Sequence, residues 1–582
     1  MPQVRNALLA VVSLLVFFAV LEGLLALVGV TSAREVDDPF AGYAPATSLF
    51  VEAPANPNRL VTRIGKRSIF NTQRFDRHKP ANVYRIFCLG GSTTFGRPYN
   101  DATSFCGWLR VLLPIAAPAR RWELINAGAI GYGSYRVAAV AEEIARYEPD
   151  ALVVYTGHNE FLERQTYEQL FGSPSLLLDS RDALSRTRTY TALKGLVAMV
   201  RGQELREPMQ RVAGPEQARE VLDQSIGPDA YERNDRVARD VMEHFRRNLM
   251  RIARAARAAD AAAIFIVPAS NLRDSSPFKS VGDAAVSRAD QQQRDSLLAA
   301  ARRDRNRGRS EAALASMARA VALDPRHADS QYLYGHLLYD AKRYREAAEA
   351  FRLARDEDIC PLRAASPVLE SIREVARGHG AGLVDFARSL ERRSEHGIAG
   401  ENYFFDHVHP TIEANRLIAL GVIDALRALG VVEPDRGKTE AAIAAAAAVV
   451  EARVAPAEHA RALASTSTVY AWAHKHEDAY RLARRAAALS NAIDVLGNAA
   501  DIAVRLGRYD EALAFNRRLL EHHPNNARAH YDIARILVHQ GEPDEAVDML
   551  RRALALNPQL PGGRDLLASL SGDTRGGDRD TR

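Results

Sequence analysis

From Val83 onward, short runs of apolar and β-branched residues alternate with longer stretches of helical periodicity, and this alternation admits few folds. Parallel strands need a long crossover, most often a helix, so the pattern predicts an α/β domain whose helices cover both faces of a parallel sheet. Five strands are expected, at residues 83–89, 122–126, 151–155, 262–267 and 382–385. The last three read as near-continuous apolar runs, as strands buried on both faces do. At 582 residues the chain exceeds the roughly 250 to 300 residues that one core can serve, so at least two domains are expected.

Between the fourth and fifth strands the period changes and the sequence begins to match itself. Ala301, Ala313, Met317 and Ala320 return thirty-four positions later as Gly335, Ala347, Phe351 and Ala354. Small residues at such places let two antiparallel helices pack closely, and Pro325 ends the second helix of its copy. Near the carboxyl end Ala500, Ala512 and Pro524 return at the same spacing as Ala534, Ala546 and Pro558, with a degenerate copy before them at Ala479, Ala483 and Ala486. The pattern resembles the tetratricopeptide repeat, which implies stacked all-α hairpins and a groove that takes a protein partner. Residues 437–455 are Ala-rich and read as a joining helix, and the last dozen residues read as a disordered tail.

An apolar run over residues 7–30 approaches the ~20 residues that cross a bilayer as a helix. It predicts a single-pass membrane anchor, with a cleaved signal ending at Thr31-Ser32-Ala33 as the competing reading. Glu22 inside the run would cost roughly 2.5 to 3.5 kcal/mol at mid-membrane. Arg5 before the run and the acidic residues soon after it place the bulk of the chain outside the cytoplasm, on the periplasmic side. The net charge of +5 comes with no zinc-finger, RNP or basic-zipper pattern, so no nucleic-acid partner is expected. Cys88, Cys106 and Cys360 are an odd count and read as buried structural thiols.

The chemistry begins after the first strand, at Gly90-Gly91-Ser92-Thr93-Thr94-Phe95-Gly96. A serine between a strand and a helix start stands at the carboxyl edge of the sheet, where open α/β folds bind ligands. There the helix start also offers N–H groups and positive potential to a developing oxyanion. By itself the motif also fits a turn with an ordinary helix cap. It is not a G-x-S-x-G elbow, because Thr94 stands at the second glycine, and it lacks the Lys of a P-loop. Asn126-Ala127-Gly128-Ala129-Ile130-Gly131 follows the second strand, Gly157-His158-Asn159-Glu160 the third, and Asp406-His407-Val408-His409-Pro410 comes after the fifth. In this order the four segments resemble the blocks of the SGNH/GDSL hydrolase family. Two departures stand out: Gly91 where that family has aspartate, and Glu160 where aspartate is common.

The resemblance implies a flavodoxin-like three-layer hydrolase domain with Ser92, Asp406 and His409 as a catalytic triad. It implies an oxyanion hole formed by the backbone N–H groups of Ser92 and Gly131 and the side-chain amide of Asn159. His158, and Arg273 just after the fourth strand, are candidates for touching the substrate; pairing with Asp274 is the plainer role for Arg273. Asp406, His407 and His409 could be read as metal ligands, but no further ligand set accompanies them, so neither a metal nor a cofactor is expected. The resulting plan is an anchor at 1–32, a hydrolase domain in two parts at 80–285 and 358–430, repeats inserted at 290–357, a helical array at 437–570 and a tail at 571–582. The expected function is cleavage of acyl esters, acetyl among them, on an extracytoplasmic polysaccharide or lipid. An O-acyltransferase using the same triad and a protein-binding scaffold built on the repeats are the alternatives.

Overall fold

Alternating side chains along each central strand divide the hydrophobic core between the two faces of one sheet. In the computed structural model, which describes residues 2–28, 48–166, 187–189, 192–193, 228, 231–433 and 440–573, eight strands form two sheets. An antiparallel sheet comprises β1 (Phe50–Ala53), β2 (Asn56–Thr62) and β3 (Arg74–Asp76). The second sheet holds β4 (Val83–Gly90), β5 (Arg121–Gly128), β6 (Ala151–Tyr155), β7 (Ala262–Val267) and β8 (Gly382–Asp385). Its order is β5-β4-β6-β7-β8, and every pairing is parallel.

Phe87, Leu89, Val154 and Phe265 point to one face, against the helices Ser134–Ile144, Asp235–Ala258 and Ser366–Gly378. Ile86, Cys88, Val153 and Ile264 point to the other, against Phe105–Ala116 and Ile412–Ala428. This is the period of two expected of strands buried on both sides. Cys88, Cys106 and Cys360 are buried free thiols. In the register, Gly90 at the end of β4 lies beside Gly128 of β5 and Tyr155 of β6. The loops leaving these three strands therefore emerge together, where the chain turns from β4 to one side and then the other.

Four helices, Arg288–Asn306, Ser310–Leu323, Ala328–Asp340 and Tyr344–Asp356, are inserted between β7 and the helix Ser366–Gly378 that leads to β8. Their small residues do what the repeat pattern requires. A Cβ on Gly335 would sit 2.9 Å from the Phe351 ring, so glycine lets the two helices of the second hairpin close on that ring. Leu272 and Ile398 of the sheet domain complete the core around Phe351, and the Tyr332 hydroxyl donates to the Arg273 carbonyl at 2.7 Å. The inserted hairpins thus lean on the sheet domain, as so short an array must.

The helix Glu440–Glu451 buries Ala446 and Val450 in the core of the sheet domain before the chain enters six further helices, Pro456–Trp472, His476–Leu489, Ile493–Arg505, Tyr509–His522, Ala527–Gln540 and Pro543–Leu556. A last helix, Gly563–Asp573, continues past residue 571, where a tail was expected to begin. Residues 574–582 lie outside the described residues, as do 29–47 with the Thr31-Ser32-Ala33 site.

At the amino end Pro2–Leu27 is a single helix, with the side chains of residues 2–11, 14 and 15 outside the described residues. Among the described residues no helix is long and apolar enough to cross a membrane, so the anchor expected at 1–32 finds no support there. The β1–β3 sheet was not expected. Its strands are short, β2 begins Asn-Pro-Asn, and basic residues crowd the segment that holds them. One of them, Lys66, is buried, and burial pulls its pKa down to about 8.

Candidate active site

Ser92 is the first residue of the short helix Ser92–Phe95 and follows β4, which ends at Gly90, after the single residue Gly91. Gly90 has φ +153°, and a Cβ there would lie 2.0 Å from the Tyr155 carbonyl oxygen, so only glycine lets the chain leave β4 this close to β6. Asn126, at the end of β5, ties the turn down: its amide donates to the Thr94 carbonyl at 2.8 Å and to Asp101 at 2.7 Å.

The loop carrying Asp406 and His409 meets Ser92 from the far end of the chain. His409 Nε2 lies 2.7 Å from Ser92 Oγ, and its Nδ1 lies 2.5 Å from Asp406 Oδ2. The other carboxylate oxygen, Oδ1, accepts the backbone N–H groups of Val408 and His409, each at 2.8 Å. Burial opposes charge on Asp406, yet His409, His407 and the hydrogen bonds from His409 outweigh it and hold the carboxyl well below the usual carboxylate range. An ionised Asp406 accepts from Nδ1–H, which leaves Nε2 unprotonated and able to accept the Ser92 hydroxyl proton. The His409 side chain keeps 17% of its surface accessible, against 5% for Asp406. The imidazole faces solvent while the carboxylate behind it is sealed.

The loops after β5 and β6 close on the same point. The Asn159 amide donates to the Tyr132 carbonyl at 3.0 Å, which sets its orientation and leaves its second hydrogen available. A Cβ on Gly91 would sit 2.9 Å from Asn159 Nδ2 and 3.1 Å from the Tyr132 carbonyl, so glycine at this place gives the amide room beside the serine. Gly131, at φ +72°, turns its carbonyl to Arg136 at 2.6 Å. Among the described residues neither the Ser92 nor the Gly131 N–H has a protein acceptor. The Asn159 amide lies beside the residue that precedes Ser92.

His158 lies beneath the site. Its Nδ1 accepts the Ala364 N–H at 3.1 Å, its Nε2 is buried with no hydrogen-bond partner, and burial with the neighbouring His407 and His409 pushes its pKa down to about 3. Arg273 points elsewhere. It pairs with Asp274 at 3.1 Å and donates to the Tyr339 hydroxyl at 3.2 Å, joining the sheet domain to the inserted hairpins. The Asp274 pairing is thus the arrangement present, and the forked donors of Arg273 are turned to these partners. His407, likewise pushed down to about 3 by burial, packs its ring on Phe278 at 4.9 Å. Among the described residues no three His, Cys, Asp or Glu side chains gather as a metal site.

Glu160 and Glu163 have a role that the sequence did not disclose. Glu160 accepts the N–H and hydroxyl of Ser134, at 3.1 and 2.6 Å, and Glu163 accepts the Tyr135 N–H at 2.8 Å and pairs with Arg136. Two buried carboxylates thus hold the start of Ser134–Ile144, and with it the Gly131 turn, to the segment bearing Asn159. Burial, and then the nearby Glu163, push the Glu160 carboxyl up to about 8. A carboxyl raised on folding stabilises the fold fully below its ordinary range near 4.5, and that contribution disappears as pH rises through about 8. Buried histidines such as His158 and His407 act in the opposite sense up to about pH 6.5, so the Glu160 contribution is read as a difference: from pH 5 to 8 the thermal midpoint of the parent should fall relative to that of Glu160→Gln, which copies the protonated form, and a difference that does not change with pH would refute this role.

Comparison with known proteins bears on the helical parts. Two tetratricopeptide-repeat family models match, at residues 298–361 and 503–570, so the chain carries such repeats both inside the sheet domain and after it. Neither match reaches a strand of the parallel sheet, and no curated protein matches the chain. Among solved structures, YrrB, described as a TPR protein with an unusual peptide-binding site, is 15% identical; the match covers 48% of this chain and 90% of that one at a TM-score of 0.17. The first TPR of Spaghetti (RPAP3), bound to an HSP90 peptide, is 16% identical over 20% of this chain and 95% of its own, with a TM-score of 0.20. The Yersinia enterocolitica secretion chaperone SycD, bound to a peptide of the translocator YopD, is 19% identical over 19% and 92%, with a TM-score of 0.19. The repeats are assigned from the two matched segments and their helices.

Proposed function

We propose that this protein is a serine-dependent acyl-ester hydrolase of the SGNH/GDSL type. The observation that carries the reading is the hydrogen-bonded series from Ser92 Oγ to His409 to Asp406, at 2.7 and 2.5 Å, with the Asn159 amide beside the nucleophile. His409 Nε2 removes the hydroxyl proton as Ser92 Oγ attacks the ester carbonyl, and Asp406 stabilises the imidazolium that forms. The N–H groups of Ser92 and Gly131 and the Asn159 amide receive the charge on the carbonyl oxygen; one such donor contributes ~10²- to 10³-fold in rate. Collapse transfers the proton from His409 to the leaving alcohol and leaves an acyl-serine. Water, deprotonated by His409, then releases the carboxylic acid; a sugar hydroxyl in its place would give transfer instead of hydrolysis.

The experiment is to treat the full chain with a fluorophosphonate and map the adduct by peptide mass spectrometry. The reading expects stoichiometric modification at Ser92, together with turnover of a chromogenic acetate ester. No adduct at Ser92 would overturn it.

A second reading, a protein-binding scaffold, is favoured by the two matched repeat segments. Repeats of this kind stack into concave surfaces suited to peptides or helices. The two readings are compatible in one chain, since the repeats and the triad occupy different elements.

A further inference from the structure

The Asp406–His409 loop is irregular backbone, held locally by the bridge from Phe404 to Pro410 and the Phe405 N–H to His409 carbonyl bond at 2.9 Å. Most of its other contacts come from elsewhere. The His407 carbonyl accepts the Asn271 N–H at 3.0 Å, so one side of the loop rests on the segment that follows β7. The other side meets the carboxyl-terminal helices. Phe405 is counted in the core of that array, next to Tyr99, whose hydroxyl lies 2.7 Å from His459 Nδ1 of the helix Pro456–Trp472. From the same helix the buried Tyr470 faces Phe278, their ring centroids 6.3 Å apart, and approaches His407 at the same distance edge-on. Its hydroxyl bonds the Ser275 hydroxyl at 3.3 Å, and Lys475, just after the helix, bonds Ser276 and lies 4.4 Å over the Phe278 ring.

We infer that the carboxyl-terminal helical array is a working part of the catalytic centre, in which Tyr470, through Phe278 and His407, positions the loop that presents His409 to Ser92. Tyr470 is a positioning residue and touches no reacting atom. The inference rests on the hydrolase reading. Its physical basis is the tolerance of the site: a displacement of about 1 Å in a catalytic group can lower rate ~10²-fold. Neutral His407 is wedged between an ionised Asp406 and two aromatic rings, so taking away the Tyr470 ring leaves the loop free to shift toward the space vacated.

The test uses the full chain with Tyr470→Ala and Tyr470→Phe. Tyr470→Ala should lower kcat for the chromogenic ester about 10- to 100-fold with KM within about twofold. Tyr470→Phe keeps the ring and should stay within about threefold of the parent. A second readout needs no catalysis: the downfield proton resonance of His409 Nδ1, held against Asp406 and assigned by its loss in His409→Asn, should broaden or vanish in Tyr470→Ala and persist in Tyr470→Phe. Should Tyr470→Ala not fold, Tyr470→Leu fills much of the same volume without the flat ring and should show the same losses. A folded Ala or Leu variant with parental kcat, or with a sharp Nδ1 resonance, overturns the inference. Failure of the fluorophosphonate to label the parent chain would instead count against the hydrolase reading, and the proton resonance would still decide the role of Tyr470.

Discussion

Ser92→Ala is expected to abolish fluorophosphonate labelling and to lower turnover of a chromogenic acetate ester by about 10⁶-fold, the scale seen when a catalytic serine is removed from its triad. The loss is chemical and not structural. Ser92 is half-buried, and the bond given up is the one to His409, so the variant should fold with a stability within ~1 kcal/mol of the parent. The residual rate reports what the Gly131 and Asn159 donors achieve on a bound ester without a nucleophile. Turnover in Ser92→Ala within about tenfold of the parent would place the nucleophile elsewhere. Retention of a repeat-bound partner by the same variant would separate the scaffold from the enzyme within one chain.

What the sequence disclosed and what it hid divide along contact range. The central strands were legible because their signal is local: Ile86 to Leu89 and Ala151 to Tyr155 are apolar runs that only a doubly covered strand explains. The end of β5 was placed at 126 and lies at Gly128, because Ala127 and Gly128 continue the pairing with Leu89 and Gly90, a fact of register that one strand alone does not carry. The repeats were legible through their small residues, and Gly335 against Phe351 is the contact which that spacing encodes. The meeting of Ser92, His409 and Asp406 was legible because each sits in a short motif next to a strand or a turn. The parts that buttress it were not. Glu160 stood out in the sequence only as a departure from the family's blocks, and its bond to Ser134 at the start of another helix has no local signature. Tyr99 and His459 meet across 360 residues, and nothing in either segment names the other. The β1–β3 sheet was hidden for another reason, since its strands are brief and its cationic residues masked a core that includes Phe50, Leu60 and Phe75.

Asp406→Asn is the sharpest test of the proposed triad, because it alters charge and proton direction while leaving size unchanged. Asp406 Oδ1 accepts two backbone N–H groups, from Val408 and His409, and Oδ2 faces His409 Nδ1. An asparagine must keep its carbonyl oxygen toward the two backbone donors, since its NH₂ cannot accept them, and this turns the NH₂ toward Nδ1. Nδ1 must then accept, so the imidazole proton moves to Nε2, and a protonated Nε2 cannot take the hydroxyl proton of Ser92. The expected result is a fall in kcat of about 10⁴-fold, with KM little changed. The variant should also lose the downfield Nδ1 proton signal while its melting curve stays close to the parent's. Because the deficit comes from a tautomer and a missing counter-charge, raising the pH should recover part of the rate as Ser92 ionises without a base. A variant with kcat within tenfold of the parent would show that His409 is oriented by something other than Asp406.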